Sequence, residues 1–225
     1  MNQDQTFLSG LKGSAPIMTG YIPIAIAYGV IGIQEGIPPW VLLSMSILIY
    51  AGASQFMAIN LFSMGISPIE MMFTIGVINL RHIVMGISFQ NRFAFSFKDR
   101  ILSSLGLTDE TFATLSLRKD LAPAYMRGVM VGSYGSWIFG AVMGILFGHV
   151  LPPILSQGLA IAIYVLFITL LTASLKGRWK IVYIPLSSMM ANLLLSTILP
   201  SGLSIVLSIL IGAIIGSIQG GVDDE

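Results

Sequence analysis

The chain alternates long apolar stretches with short polar breaks. No Asp, Glu, Lys or Arg occurs in 13–34, 36–69, 128–175 or 181–222. A helix of about 20 apolar residues, rising roughly 1.5 Å each, crosses a hydrocarbon core of about 30 Å. The last two stretches are therefore long enough for two crossings each. Breaks at Gln34–Pro39, Ser63–Ser67, Leu151–Gln157, Lys176–Lys180 and Leu199–Gly202, most of them with Pro or Gly, divide the pattern. The spans predicted are 14–34, 40–64, 70–90, 128–148, 157–175, 181–199 and 203–220. An all-α, polytopic bundle of about seven helices results, some kinked or broken by Pro and Gly, in a single transmembrane domain over 1–225. Residues 91–127 form its only sizeable polar segment.

Composition agrees with this solvent. Charged residues make up 9% of the chain, against about 25% in a soluble domain, and mean hydropathy is +0.89. A net charge of +1 offers nucleic acid no basic field. Cysteine is absent, and His82 and His149 lie far apart, so neither a cofactor nor a metal site is expected. Residues 1–12 are polar and carry no secretory leader pattern, so the first apolar run is expected to be retained. Arg92, Lys98, Arg100, Arg118, Lys119 and Arg127 fall in 91–127, and Lys176, Arg178 and Lys180 in the 176–180 turn. The positive-inside rule makes both segments cytoplasmic. With seven full crossings, Asp223–Glu225 lie inside and the amino terminus outside, where Lys12 fits poorly. One early re-entrant segment returns that terminus to the cytoplasm.

Chemistry concentrates in the first three spans and in 91–127. Asn79-Leu80-Arg81-His82 stands midway along the third span, where an Arg costs about 2.5–3.5 kcal/mol on insertion scales. Asn79 and His82 share a helix face, with Arg81 turned about 100° from His82. One reading is a site lining a cavity; the other is an Arg81 snorkelling to an interface beside a hydrogen-bonded His82. In the second span, Tyr50-Ala51-Gly52-Ala53-Ser54-Gln55-Phe56 brings small residues together before Gln55, which suits local unwinding or plain close packing of helices. Pro16, Gly20 and Pro23 are expected to break or kink the first span, around a cavity or under covering protein. Phe93, Phe95 and Phe97 alternate with small residues, suggesting an element at headgroup level. Thr108 caps a helix with Asp109 and Glu110 in its first turn; a surface helix and one dipping into the bilayer both fit, and the two acids read as plain first-turn residues, as protonatable coupling groups or as partners for Arg81. His149 and Asn192 read as structural. Ala15-Pro16 and Ala122-Pro123 hint at a repeat of two halves.

Taken in order, the broken first span, Gly52-Ala53-Ser54-Gln55-Phe56, Asn79-Leu80-Arg81-His82 and Leu107–Ala113 resemble the AzlC family, large subunits of branched-chain amino-acid exporters. The resemblance covers nearly the whole chain. It implies a bacterial inner-membrane exporter of valine, leucine, isoleucine and sometimes methionine, driven by an ion gradient. It also implies a small hydrophobic partner subunit of the AzlD type. On that reading Gly52, Ala53, Ser54, Gln55, Asn79 and Arg81 bind substrate, and His82, Asp109 and Glu110 couple protons. Two rivals stand beside it. One is a non-transporting assembly or sensor subunit. The other is an intramembrane enzyme, which lacks here a recognisable nucleophile–base or metal pattern.

Overall fold

In the computed structural model the described residues are 5–93, 95–148, 150, 182–199 and 201–220, with single positions at 158, 161, 168, 171, 172 and 175. Their regular structure is helical throughout. In chain order the helices are α1 (Phe7–Gly13), α2 (Ala15–Gln34), α3 (Pro39–Leu48), α4 (Gly52–Ser63), α5 (Pro68–Arg92), α6 (Phe97–Gly106), α7 (Asp109–Ser116), α8 (Pro123–Phe147), α9 (Tyr183–Leu195) and α10 (Ser201–Gly220). Among the described residues, α2, α5 and α8 are long and apolar enough to cross a membrane. The chain forms two compact units, Met1–Gly65 with Arg81–Leu166, and Ile66–Leu80 with Phe167–Glu225. Most of the expected span 157–175, with the 151–157 and 176–180 connections, His149 and Asp223–Glu225, lies outside the described residues.

The first unit is framed by α1 and α2 against α8. The polar lead 1–12 contains a helix that the hydropathy pattern did not announce, α1, capped by the Thr6 hydroxyl accepting from the Ser9 amide. Pro16 falls in the first turn of α2, where its missing N–H costs nothing. The helix then runs unbroken through Gly20 and Pro23 to Gln34, so the expected break in the first span is absent. Covering protein is the reason: α2 is packed along its length by α8. Gly128, Gly132, Ser136, Gly140 and Gly144 recur every fourth residue and so share one face of α8. Gly128 meets Phe7 and Gly10, Gly132 meets Ser14, Gly140 meets Ile22 and Ala25, and Gly144 meets Ile26 and Gly29. Numbers rise together on both sides, so α1–α2 and α8 run parallel. The Gln5 side chain bonds to Asp120 O and Ala122 N, tying the two starts together.

The second expected span, 40–64, is not a single crossing. It is a hairpin of two half-length helices, α3 and α4, that reverses at Ile49–Ala51. The Gln55 amide donates across it to the Ser46 hydroxyl at 3.1 Å. At its open end Ser63 donates to the Glu35 carboxylate, 2.6 Å away, at the end of α2. A hydropathy window cannot distinguish this from one crossing, because both half-helices are apolar. The chain thus leaves the hairpin at the end where it entered. The amino terminus therefore shares its end of the unit with 91–127, the arrangement required by one re-entrant early segment.

Residues 97–116 form a second hairpin, entering from the other end. Ser96 caps α6, accepting from the Asp99 amide, and Thr108 caps α7 in a reciprocal capping box with Thr111. Asp109 pairs with Arg81, eleven residues before Arg92 and so about 16 Å along α5. Arg118 O, beyond α7, meets the Arg92 guanidinium itself. Of the three alternating phenylalanines, Phe93 and Phe95 are buried with Phe89, and Phe97 alone is exposed. In the second unit α9 and α10 pack closely, Gly212 against Ser188 and Gly216 against Ile184.

Candidate functional site

The tips of the two hairpins meet inside the first unit. At the first tip α3 ends with its Ile47 carbonyl accepting from the Tyr134 hydroxyl of α8 at 2.9 Å. Tyr50 then takes a φ of +42°, a left-handed conformation that costs a non-glycine residue about 1–2 kcal/mol. α4 begins at Gly52 without a side-chain cap. Its first-turn amides have no partner within the helix and form the positive end of its dipole. Gly52 is required here because a Cβ would lie 2.7 Å from the Trp137 ring. Around this helix start the Tyr50 hydroxyl, the Trp137 indole N–H, the Ser133 hydroxyl and the Gln55 carbonyl oxygen are buried without a hydrogen-bond partner. Buried polar groups are normally satisfied.

Aromatic rings enclose it. Tyr21 of α2 stands edge-on to Trp137 at 5.3 Å and to Tyr50 at 6.4 Å, and Tyr50 edge-on to Tyr134 at 4.8 Å. The second tip supplies the acids. The Tyr21 hydroxyl donates to Glu110 Oε2 at 2.5 Å and shares a 2.7 Å hydrogen bond with Thr108. Beside it Arg81 Nη1 lies 2.8 Å from Asp109 Oδ2, while Arg81 Nε is buried without a partner. An open cavity of about 300 Å³ lies between the tips, lined by Ile47, Leu48, Leu102, Leu105, Met130 and Val131, of which all but Met130 are exposed, with Tyr50 and Tyr134 as its polar wall.

Of the residues singled out in the sequence, Gly52, Ala53, Ser54 and Gln55 form the start of α4 at the first tip, and Asp109 and Glu110 occupy the second. Arg81 is held by Asp109. His82 faces a separate groove of about 380 Å³ with Gln90, Ser104 and Leu107, and Asn79 belongs to the other unit. Gly20 and Pro23 bracket Tyr21. The sequence reading missed Tyr21, Ser133, Tyr134 and Trp137, and gave Tyr50 no role of its own. A faint signal existed: the small-residue stripe of α8 marks its buried face, and Ser133 and Trp137 each adjoin a member of that stripe. No three His, Cys, Asp or Glu cluster as metal ligands among the described residues.

A second ion pair secures the entrance of the α6–α7 hairpin. Arg127 Nη2 and Nε contact Asp99 Oδ1 at 2.6 and 2.8 Å, and Ser96 donates to Asp99 Oδ2 at 2.6 Å. The Ser96 hydroxyl, then Arg127, hold this carboxyl below the usual aspartate range.

Opposed half-helices, unpartnered donors and acidic groups at the centre of an apolar helical bundle define a membrane protein with an internal polar site. The chain belongs to the AzlC family: the family described as AzlC protein matches residues 16–151. It is 34% identical over 180 residues to an uncharacterized membrane protein of Archaeoglobus fulgidus, covering 79% of this chain and 80% of that one. It is 32% identical over 183 residues to the inner membrane protein YgaZ of Escherichia coli, covering 77% and 75%. The branched-chain amino acid transport protein AzlC of Bacillus subtilis is 27% identical over 168 residues, covering 73% and 66%. No solved structure matches the chain. Family membership supports membrane transport as its activity.

Proposed function

We propose that this chain is the large subunit of a two-subunit secondary exporter of valine, leucine, isoleucine and methionine in the bacterial inner membrane. Its partner is a small hydrophobic AzlD-like subunit, and the driving gradient is protons. The observation that carries this reading is the cavity between the hairpin tips. Its wall is aliphatic, its volume lies at the small end of ligand sites, and a helix N-terminus with orphan donors stands beside it. That combination suits a small molecule with a carboxylate and a branched apolar side chain. The carboxylate is received by the first turn of α4, the Tyr50 hydroxyl and the Trp137 indole. The side chain enters the cavity. The Arg81–Asp109 pair closes the cytoplasmic hairpin over it, and its opening releases the path.

In the bilayer α2, α5 and α8 cross, α3–α4 re-enters from outside, and α6–α7 re-enters from the basic, cytoplasmic side. The amino terminus is then cytoplasmic and Lys12 no longer stands on the wrong side. The matching Ala-Pro starts of α2 and α8, parallel in the fold, support descent from two related halves.

The test is flux. The chain is reconstituted in liposomes with and without a small AzlD-like subunit and loaded with labelled leucine. Efflux down an imposed pH gradient, competed by valine and isoleucine but not by lysine, is expected with the pair. Equal leakage from protein-free liposomes would reject the proposal.

A further inference from the structure

We propose that Glu110 is a shared site, occupied in turn by a proton and by the ammonium group of the exported amino acid; this rests on the transport reading above. Three observations converge on it. First, Glu110 is buried and, among the described residues, no Lys or Arg pairs with it, because the nearby guanidinium of Arg81 is held by Asp109. A buried carboxylate without a cation calls for a proton or a cationic ligand.

Second, its hydrogen-bond chain suits both states. With Glu110 ionised, Thr108 donates to Tyr21 and Tyr21 donates to Glu110 Oε2. With Glu110 protonated, the same two contacts run in reverse: Glu110 donates to Tyr21 and Tyr21 to Thr108. The distances of 2.5 and 2.7 Å serve either direction. Neither of these two contacts is lost when the proton comes or goes. Third, the surroundings suit an ammonium. The rings of Tyr21, Tyr50 and Trp137 gather at this point, and aromatic faces attract cations. The Tyr50 hydroxyl is buried near Glu110 and beside Tyr21, and the Tyr50 ring is also a wall of the cavity.

Among the described residues, the titratable and charged groups facing Glu110 are Tyr21 of α2, Tyr50 of the first tip, Asp109 of α7 and, through Asp109, Arg81 of α5. The exchange balances simply. The protonated carboxyl loses its proton to the aqueous side, and the carboxylate so formed takes the substrate's ammonium, with no other bond made or broken. Because one site holds either a proton or an ammonium, each crossing of substrate obliges a return crossing of a proton. That competition is antiport.

The experiment measures proton release on substrate binding to the purified full chain, reconstituted with its partner if flux requires one, in weakly buffered medium with a pH dye. Addition of leucine is expected to release close to one proton per molecule bound at low pH. The apparent Kd should rise about tenfold per unit of pH below the midpoint. The 2-oxo acid with leucine's carbon skeleton, which lacks the ammonium, should release none. Glu110→Gln should abolish release and flatten the pH dependence. Leucine binding without proton release, or equal release by the 2-oxo acid, overturns the shared site alone. Release that persists in Glu110→Gln does the same. Absence of leucine binding in the wild type overturns the transport reading as well. The wild-type and 2-oxo-acid arms decide the matter even where the variant does not fold.

Discussion

The close contact of α2 and α8 can be tested with one substitution made at two places on the same helix. Gly140 and Gly135 both lie in α8. A Cβ at Gly140 would stand 2.7 Å from Ile22 O and from the Ala25 Cβ, whereas nothing lies within 4 Å of one at Gly135. Ordinary contacts begin near 3.4 Å, so Gly140→Ala must separate the helices by roughly 0.7 Å or distort them. Overpacking of this kind costs about 1–3 kcal/mol. Both variants gain the same helix propensity, about 1 kcal/mol, which cancels in the comparison. Gly140→Ala is therefore expected to be the less stable by about 1–3 kcal/mol. At about 2–4 °C per kcal/mol for a chain of this length, its melting midpoint should fall some 2–12 °C below that of Gly135→Ala. Tryptophan fluorescence on heating in one detergent at one scan rate measures it. Coinciding midpoints, or a more stable Gly140→Ala, would refute the backbone contact. Transport should fall in step, because Tyr21 and Trp137 sit within a turn of the widened contact.

Three further outcomes follow from the site and its entrance. Arg81→Met or Asp109→Asn alone leaves one half-buried charge unpaired and should destabilise by about 1–3 kcal/mol, between the exposed and buried limits; the double variant should recover much of the loss, and strict additivity in thermal melts would mean the pair is not coupled. Tyr50→Phe removes a buried hydroxyl that lacks a partner, so it should leave stability equal or higher while weakening leucine binding measured by isotope counterflow; unchanged binding would remove Tyr50 from the site. Asp99 is held below its unfolded value, so its contribution to stability is present above about pH 4 and is lost as pH falls through the lower folded value. Between pH 6 and 3 the wild type should therefore lose more of its melting midpoint than Asp99→Asn, and parallel curves would contradict this.

The physics of solvent was legible from the chain: scarcity of charge placed it in lipid, and breaks in hydropathy lie near the ends of α2, α5 and α8. Thr108 was legible as a cap because the chemistry of a helix start is local. The reversal at Tyr50 was not. It carries no proline, the half-helices on either side are as apolar as a continuous span, and a tyrosine in a left-handed conformation has no sequence signature. The run Tyr50 to Phe56 hinted at unwinding, which falls at its first two residues, but nothing in it announced a reversal. Arg81 and Asp109 were each visible, and their pairing was legible as one option, because a mid-span cation calls for a carboxylate; which acid takes it depends on α6 and α7 folding back. Tyr21 and Trp137 were hidden for a different reason: in an apolar helix a phenol or indole reads equally well as an interface anchor. Pro23 misled, since only the neighbouring α8 decides whether a proline breaks its helix.

The second hairpin also constrains how the protein is made. Ten residues of α6 and eight of α7 reach about 15 and 12 Å, half a bilayer or less, and their junction carries two acids. Such a piece does not partition into lipid unaided. Its partners Tyr21 and Arg81 both precede it in the chain and are already embedded when it leaves the ribosome. α8, which covers it, comes next. Order of synthesis thus supplies each polar group with its partner before that group is needed. A circular permutant that delivers 97–116 ahead of 15–34 should therefore insert poorly, even with every contact of the finished fold still available to it.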